Sequence, residues 1–529
     1  MSRVALSLFV VFGLAASAPA IAVETKASIA IGRGGAAASV DVLATQTAID
    51  VLRAGGNAVD AAVAAAAVLG VVEPFSCGIG GGGFMVIRTS GGIVTTIDGR
   101  ETAPVAMRPD SFWEGGAPLP FNAARWSGLS AGVPGTVRGW EVALREFGTM
   151  SLAELLRPAI AAAREGFLVD EVFSSQTQAN LDFFDDITST RAVYLEPDGT
   201  AYDVGDTFLN PDLARTYERI ADHGAKGFYR GPIAEALVTA VQNPPVAADA
   251  NHVWRRGLMT MRDLHTYVAP EREPTRVGYR GLDVYSMGPP SSGGSTVGEA
   301  LNILEGWDLS GDRVEALHRF LESSAVAFAD RNAFLGDADF VDVPLAGLLS
   351  DSYAAERRLL IGERTGVPYP PGDLTDNAMS TTHLTVSDRW GNVVAYTFTI
   401  ESIGGNGITV PGWGFLLNNE LTDFNFDSLR HPNRVEGGKR PRSSMSPTIV
   451  VDDGRPLLAL GSPSGSTIST VPRPRAASWL GAGSARPGPG GPTPQKQRGR
   501  YQCGMFTPDL TEHIEITTEC RRQNVNIPH

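Results

Sequence analysis

The chain has 529 residues, of which 43% are hydrophobic and 19% charged, and a formal net charge of −14 at pH 7. That length and balance support a large core and exclude a mainly disordered chain. The acidic excess is spread out, with no basic block to follow a phosphate backbone or grip an anionic membrane, so nucleic acid is not expected as a partner.

The first residues read as a secretory signal over 1–22: Arg3, the apolar run Val4 to Ala15, then small residues up to Ala20-Ile21-Ala22, with cleavage after Ala22. The run is shorter than the roughly 18 residues a membrane span needs, so the expected location is secreted, in the periplasm, without a stable membrane anchor. The other strongly apolar stretch, Ala58 to Val72, contains Asp60 and reads as a buried helix. Only three cysteines occur, Cys77, Cys503 and Cys520, too few for a disulfide scaffold. No His/Cys/carboxylate set has zinc or calcium ligand spacing, and neither metal nor cofactor is expected.

Apolar periodicity predicts helix from 41 to 72, broken at Gly55-Gly56, with Asn57 as the N-cap of the second half and Asp60 in its first turn. Gly78 to Gly83 satisfies G-x-G-x-x-G, but a helix precedes these glycines and the strand-like Phe84 to Thr89 follows them. A dinucleotide fingerprint needs the opposite order, so the glycines are read as sites of close backbone approach beside a pocket. Gly128-Leu-Ser130-Ala-Gly132 matches the hydrolase elbow, yet Val133-Pro134-Gly135 is a poor start to the helix that motif requires; a turn is expected. Amphipathic helices are predicted over 152–163, 213–223, 233–241 and 316–330, interrupted by the rigid loop Pro289 to Gly294. Residues 355–377 are polar and rich in proline and glycine, as in an exposed connector.

From Thr381 the pattern alternates through Ser387, turns at Asp388 to Asn392, and returns through Val393 to Ile400, a hairpin signature. If Ser387 pairs with Val393, then Thr385 faces Ala395, His383 faces Thr397 and Thr381 faces Thr399, with Glu401 continuing that face. A slip of one residue destroys the arrangement. Alone, a threonine-rich hairpin reads as a solvated face. A second hairpin spans 447–460 and turns at Asp452-Asp453-Gly454. It delivers Gly461-Ser-Pro-Ser-Gly465, whose backbone N–H groups suit an anion or a developing oxyanion.

These residues carry a resemblance. Gly55 to Ala62, Glu73-Pro74, Gly78 to Phe84, Arg100 to Pro104, Gly132 to Thr136, Pro289 to Gly294, Ala329-Asp-Arg331, Leu335-Gly-Asp337, Thr381-Thr-His383, Leu417 to Glu420 through Asp423, Ser443 to Thr448 and Gly461-Ser-Pro463 occur in the order seen in the γ-glutamyltranspeptidases (glutathione hydrolases). The chain is similar to that family of N-terminal-nucleophile hydrolases from about residue 28 to about 468. The resemblance implies an α+β fold of four αββα layers. It also implies one precursor, cut between Ser380 and Thr381 into a large subunit (23–380) and a small one (381–468) that remain associated.

By resemblance, Thr381 is the nucleophile and Thr399 hydrogen-bonds its hydroxyl. Arg100 holds the substrate's α-carboxylate with help from Ser443 and Ser444. Glu420 and Asp423 hold the α-ammonium with Glu401 beside them, and the N–H groups of Ser464 and Gly465 form the oxyanion hole. The implied activity is cleavage of the γ-glutamyl amide of glutathione and related compounds, with transfer to water or to amino acids and peptides.

The pattern departs in four places. Glu401 stands where many members carry asparagine, Gly404-Gly405 replaces an aromatic-glycine pair, Ser464 replaces a glycine, and the 423–443 segment is short, which implies a more open pocket. After Ile468 the resemblance ends in Pro472 to Arg475, Gly481 to Gly491 and Gln495 to Arg500. That composition predicts a divergent, disordered tail over 469–529 and a truncated C-terminal part of the fold. Two other functions stay open: an amidase of the same fold resembling cephalosporin acylases, and an inactive precursor or binding protein that never matures.

Overall fold

The computed structural model describes residues 29–364, 369, 381–462, 501–508 and 514–520. The signal-like segment 1–22, Ser380, Ser464, Gly465 and the Pro/Gly/Arg-rich runs between 472 and 500 lie outside the described residues.

Among the described residues two large sheets face each other. One has six strands in the spatial order 35–38, 382–388, 393–399, 82–88, 94–99, 271–272. The other has seven, in the order 29–32, 514–520, 501–508, 455–461, 448–452, 282–286, 275–279. Apolar residues on their facing sides, among them Ala36, Val86, Val393 and Ala395 from the first and Ile449, Val451 and Ala459 from the second, form one inner core. The opposite side of the six-stranded sheet, through Leu384, Val386, Val394, Tyr396 and Phe398, packs on helices that include Ala58–Val72 and Thr136–Phe147. The outer side of the seven-stranded sheet packs on Gly293–Leu304 and Arg313–Phe334 through Val297, Leu301, Leu304 and Phe320. These are the four αββα layers.

Local chemistry explains the elements that build the site. Asn57 caps the Ala58–Val72 helix by accepting from the N–H groups of Val59 and Asp60, while Asp60 accepts from the Asn57 N–H, a complete capping box. Every residue of that helix is buried, which is why its sequence is apolar all round. The turn at Asp453 and Gly454 has positive φ at both positions, the type I′ geometry that suits the twist of a tight hairpin. Ser130 donates to the carbonyls of Arg125 and Ser127 within a buried 3-10 turn, so it closes a turn as expected and serves no elbow.

Two expectations change. The connector begins later than 355, because a helix runs Asp351–Arg358, capped by Ser350 and with Arg357 and Arg358 complementing its C-terminal end. In the tail, Tyr501–Pro508 and Ile514–Cys520 are strands that stand between 455–461 and 29–32 in the seven-stranded sheet. Ile514-Glu-Ile-Thr-Thr-Glu-Cys520 alternates with the two-residue period of a strand, a signal masked by the Pro/Gly/Arg composition before it. Pairing there covers what would otherwise be the open edge of 455–461.

Candidate active site

The hairpin that carries Thr381 has the register read from its sequence. Ser387 pairs with Val393, Thr385 with Ala395, His383 with Thr397 and Thr382 with Phe398. Alternation then puts Thr381, His383 and Thr385 on the side that faces the second sheet, with Leu384 and Val386 toward the helices. Both strands are buried along their length, so this is no solvated face. The Thr381 hydroxyl lies 3.5 Å from that of Thr399. Thr399 Oγ1 in turn accepts the Glu401 N–H at 2.8 Å.

The glycine run makes this placement possible. A Cβ on Gly81 would overlap the carbonyl oxygen of Thr399, so only glycine lets the 82–88 strand and its lead-in lie flat against the end of 393–399. His383 occupies the same inner space, its Nδ1 2.7 Å from Thr397 Oγ1 and its ring against Gly461, where any side chain would collide with it. Burial pushes its pKa down to about 3, so the ring is a neutral packing and hydrogen-bonding element at ordinary pH.

Beyond Thr399 the chain turns sharply. Glu401 has φ of 77°, a left-handed conformation that costs a non-glycine residue about 1–3 kcal/mol and needs support. Ser402 Oγ and Asn419 Nδ2 supply it by donating to Glu401 Oε2, while Asn419 Oδ1 accepts the Ser402 N–H. The preceding residue, Asn418, bridges two other segments: its amide donates to the carbonyls of Gly80 and Gly132 and its oxygen accepts the Gly132 N–H. The two asparagines of Leu417-Asn-Asn-Glu420 thus rivet the glycine run, the 128–132 turn and the Glu401 turn to the segment bearing Glu420 and Asp423. They carry no charge or nucleophile, so although they lie in one of the stretches that carry the resemblance, what they bridge was not legible in the sequence.

Arg100 is fully buried, and its guanidinium pairs with Glu420 and Asp423. It also donates to the carbonyls of Pro441 and Arg442, directly before Ser443 and Ser444. The structure therefore brings Arg100, Glu420, Asp423 and the serine pair together. It joins them to Thr399 through Asn419 and Glu401. Burial lowers the Arg100 pKa, but the charges of Glu420, Asp423 and Glu101 outweigh it and hold the group above its usual value.

The acids respond in the opposite sense. Burial raises Glu101, Glu401 and Glu420 above the ordinary carboxylate range, with the Asp423 charge adding to the rise in each case. Arg100 pulls Glu101 and Glu420 back, and hydrogen bonds from Ser402 and Asn419, with the charge of Arg125, pull Glu401 back. Glu101 and Arg125 were not singled out from sequence. Glu101 lies 3.9 Å behind Arg100, and Arg125 holds the Glu401 turn through the carbonyls of Ile403 and Gly405. One Oε of Glu401 and one of Glu420 are buried with no hydrogen-bond donor. Such a pocket favours a cation rich in N–H groups.

Residues 44–473 match the pattern of the Gamma-glutamyltranspeptidase family. The glutathione hydrolase proenzyme of Bacillus subtilis (strain 168) is 40% identical over 466 residues, spanning 83% of this chain and 76% of that protein. The glutathione hydrolase proenzyme of Escherichia coli (strain K12) is 39% identical over 454 residues, with the same two shares of 83% and 76%. Among solved structures, the cephalosporin acylase from Bacillus halodurans superposes with a TM-score of 0.78 at 25% identity, covering 95% of this chain and 97% of that one. With the Thr381 hairpin and the Arg100 cluster in place, and with the family pattern spanning most of its length, the chain belongs to the γ-glutamyltranspeptidase family.

Proposed function

We propose that the chain is a self-processing γ-glutamyl hydrolase and transferase that uses Thr381 as its nucleophile. One observation carries the reading: the Thr381 hydroxyl lies 3.5 Å from Thr399 Oγ1, which hydrogen bonds join through Glu401 to Asn419, the chain neighbour of Glu420 in the Arg100, Glu420 and Asp423 cluster. A nucleophile and a receptor for an α-amino acid head group are thereby linked.

In processing, the Thr381 hydroxyl attacks the Ser380 carbonyl, the peptide nitrogen leaves as the Thr381 α-amine, and water opens the resulting ester. The new amine, with a reference pKa of about 7.7–8.0, then serves as base for the hydroxyl beside it. The substrate's zwitterionic head enters by exchange: its carboxylate takes the place of Glu420 and Asp423 on Arg100, with Ser443 and Ser444 donating, and its ammonium takes the place of Arg100 on those acids. Charge is conserved across the exchange, which limits the cost of desolvating the head group.

Thr381 Oγ attacks the γ-carbonyl and its proton passes through the α-amine to the leaving nitrogen. The oxyanion is held by the N–H groups of Ser464 and Gly465. The γ-glutamyl ester is then opened by water, which completes hydrolysis, or by the amine of an amino acid or peptide, which completes transfer. Glutathione and related γ-glutamyl amides are the proposed donors, and the large and small subunits of one precursor are the proposed assembly. Among the described residues no helix is long and apolar enough to cross a membrane. The signal-like segment 1–22 supports export to the periplasm.

The acylase reading shares the fold, but a buried arginine paired with two acids suits an α-amino acid head group better than an apolar acyl chain. Electrophoresis of purified protein tests the proposal. The wild type should give two bands and release product from a γ-glutamyl anilide, while Thr381→Ala should remain one band. A single band for both proteins would leave an unprocessed precursor. Two bands with turnover only of other amides would favour the acylase.

A further inference from the structure

Two of the sequence stretches, Pro289 to Gly294 and Ala329-Asp330-Arg331, contribute none of the groups that would touch substrate, yet they meet directly behind Ser443 and Ser444. The loop clamps the serine segment from one side. Ser443 O accepts the Ser292 N–H at 2.8 Å and the Ser292 hydroxyl at 2.6 Å. The Ser443 N–H donates to Pro290 O, and Ser291 Oγ donates to Met445 O. Gly293 has no room for a side chain, because a Cβ there would overlap Met445 O and Ser446 Oγ.

Arg331, near the end of the Arg313–Phe334 helix, locks this clamp. It is 8% exposed, and its Nε donates to Ser292 Oγ at 2.8 Å while its Nη2 donates to Ser444 Oγ at 2.6 Å. Those nitrogens form one edge of the planar guanidinium, so the two hydroxyls are held at a spacing that a lysine could not reproduce. Its Nη1 is engaged by Asn332 Oδ1, and its own carbonyl accepts from Arg442.

The direction of these bonds matters. A guanidinium has donors and no acceptor, so both serine oxygens must accept from it. Ser292 accepts from Arg331 and donates to Ser443 O, giving a chain polarised in one sense. Ser444 likewise accepts from Arg331, and its single proton is directed to some acceptor other than Arg331.

We propose that Arg331 is a positioning residue for the α-carboxylate end of the pocket: it fixes the place and polarity of the Ser444 hydroxyl so that its proton is presented to the carboxylate of the incoming γ-glutamyl group. The inference rests on the assignment of Ser443 and Ser444 to that carboxylate. A neutral partner such as asparagine or glutamine could donate to the hydroxyl or accept from it; arginine can only donate, which keeps the Ser444 proton from being spent on this partner.

The test uses the full-length processed protein and two substrates, a γ-glutamyl 4-nitroanilide and its 4-aminobutyryl counterpart, which lacks the α-carboxylate. Arg331→Met should raise KM for the γ-glutamyl substrate on the order of tenfold with kcat changed less than about twofold. On the 4-aminobutyryl substrate its kcat/KM should match the wild type. Arg331→Lys keeps the charge and one donor, so it should fall between the two, and it preserves the test if the methionine variant fails to fold, as judged by its two-band processing. In a Ser444→Ala background, Arg331→Met should add almost nothing to KM. Equal losses on both substrates, or additive losses in the double variant, would make Arg331 a structural tie and overturn the proposal. A processed wild type that does not turn over the γ-glutamyl substrate would instead overturn the underlying γ-glutamyl assignment, and this inference with it.

Discussion

Arg100 and Glu420 form an ion pair whose side chains are both fully buried, and it stands in the pocket before any substrate arrives. The arginine is thus part of the folded core as well as the proposed carboxylate receptor. Arg100→Ala would leave Glu420, Asp423 and Glu101 without their cation, and breaking a buried pair in this way costs about 3–5 kcal/mol. The expected result is a lowered melting temperature together with loss of γ-glutamyl turnover. Arg100→Lys should recover most of the stability but little of the affinity, because an ammonium cannot face two carboxylates and two carbonyls at once. A melting temperature unchanged in Arg100→Ala would mean that the pair contributes nothing to folding.

Thr399 accepts the Glu401 N–H and stands 3.5 Å from the Thr381 hydroxyl, so a single oxygen links the nucleophile to the turn behind it. Thr399→Val keeps the shape and removes that oxygen. Self-cleavage, followed as band conversion over time, should slow by roughly 10²–10³, the usual cost of losing one orienting polar group at a reacting centre. Thr399→Ser should restore most of it. If the valine variant matures at the wild-type rate, the Thr381 hydroxyl is oriented by some other group.

Much of this geometry was legible in the sequence because it depends on strand period. Once Ser387 is paired with Val393, the two-residue alternation alone brings Thr381 to Thr399, and no tertiary information is needed. Asn57, Asp60 and the Asp453-Gly454 turn were legible for the same reason, as local hydrogen-bond chemistry written in adjacent residues. What could not be read was contact between distant segments. Asn418 bridging Gly80 and Gly132 and Arg125 holding the Glu401 turn both join residues far apart in the chain. The tail strands escaped because composition reports average solvation, while their pairing is set by an open sheet edge elsewhere in the chain.

Gly81 is a steric requirement, since a methyl group there would meet both the Thr399 carbonyl oxygen and the Ile400 side chain. Its own carbonyl also accepts the Gly135 and Thr136 N–H groups at the start of the Thr136–Phe147 helix, so the backbone cannot move aside without breaking that contact. Gly81→Ala should therefore destabilise the protein by about 1–3 kcal/mol or more and displace Thr399, so that soluble material remains a single uncut band. Gly91→Ala is the control: a Cβ there meets nothing closer than Thr89 Oγ1 at 3.9 Å, and it should be within about 0.5 kcal/mol of the wild type. Equal tolerance of both substitutions would show that the strand approach at Gly81 is looser than its geometry implies.

Glu401 gives the site a pH dependence of defined sign. Burial, reinforced by the charge of Asp423, pushes its pKa from 4.5 up to about 7. The folded protein therefore keeps a proton on this carboxyl over a range in which the unfolded chain has released it. Stability from this group is complete below about pH 4.5 and is lost as pH rises through about 7. The difference corresponds to at most about 3 kcal/mol, shared with Asp423 and Glu420, which face the same space. Glu401→Gln keeps an oxygen for Ser402 and Asn419 and cannot ionise. Its melting temperature should exceed that of the wild type at pH 8.5, and the two curves should converge near pH 4.5. The same variant should bind the γ-glutamyl donor more weakly at pH 8.5, because the pocket has lost a charge that attracts the α-ammonium, and that weakening should shrink toward pH 6, where the wild-type carboxyl is also largely neutral. A glutamine variant less stable than the wild type at pH 8.5 would mean that the fold stabilises the ionised carboxylate, with the charge of Arg125 and the hydrogen bonds from Ser402 and Asn419 outweighing burial.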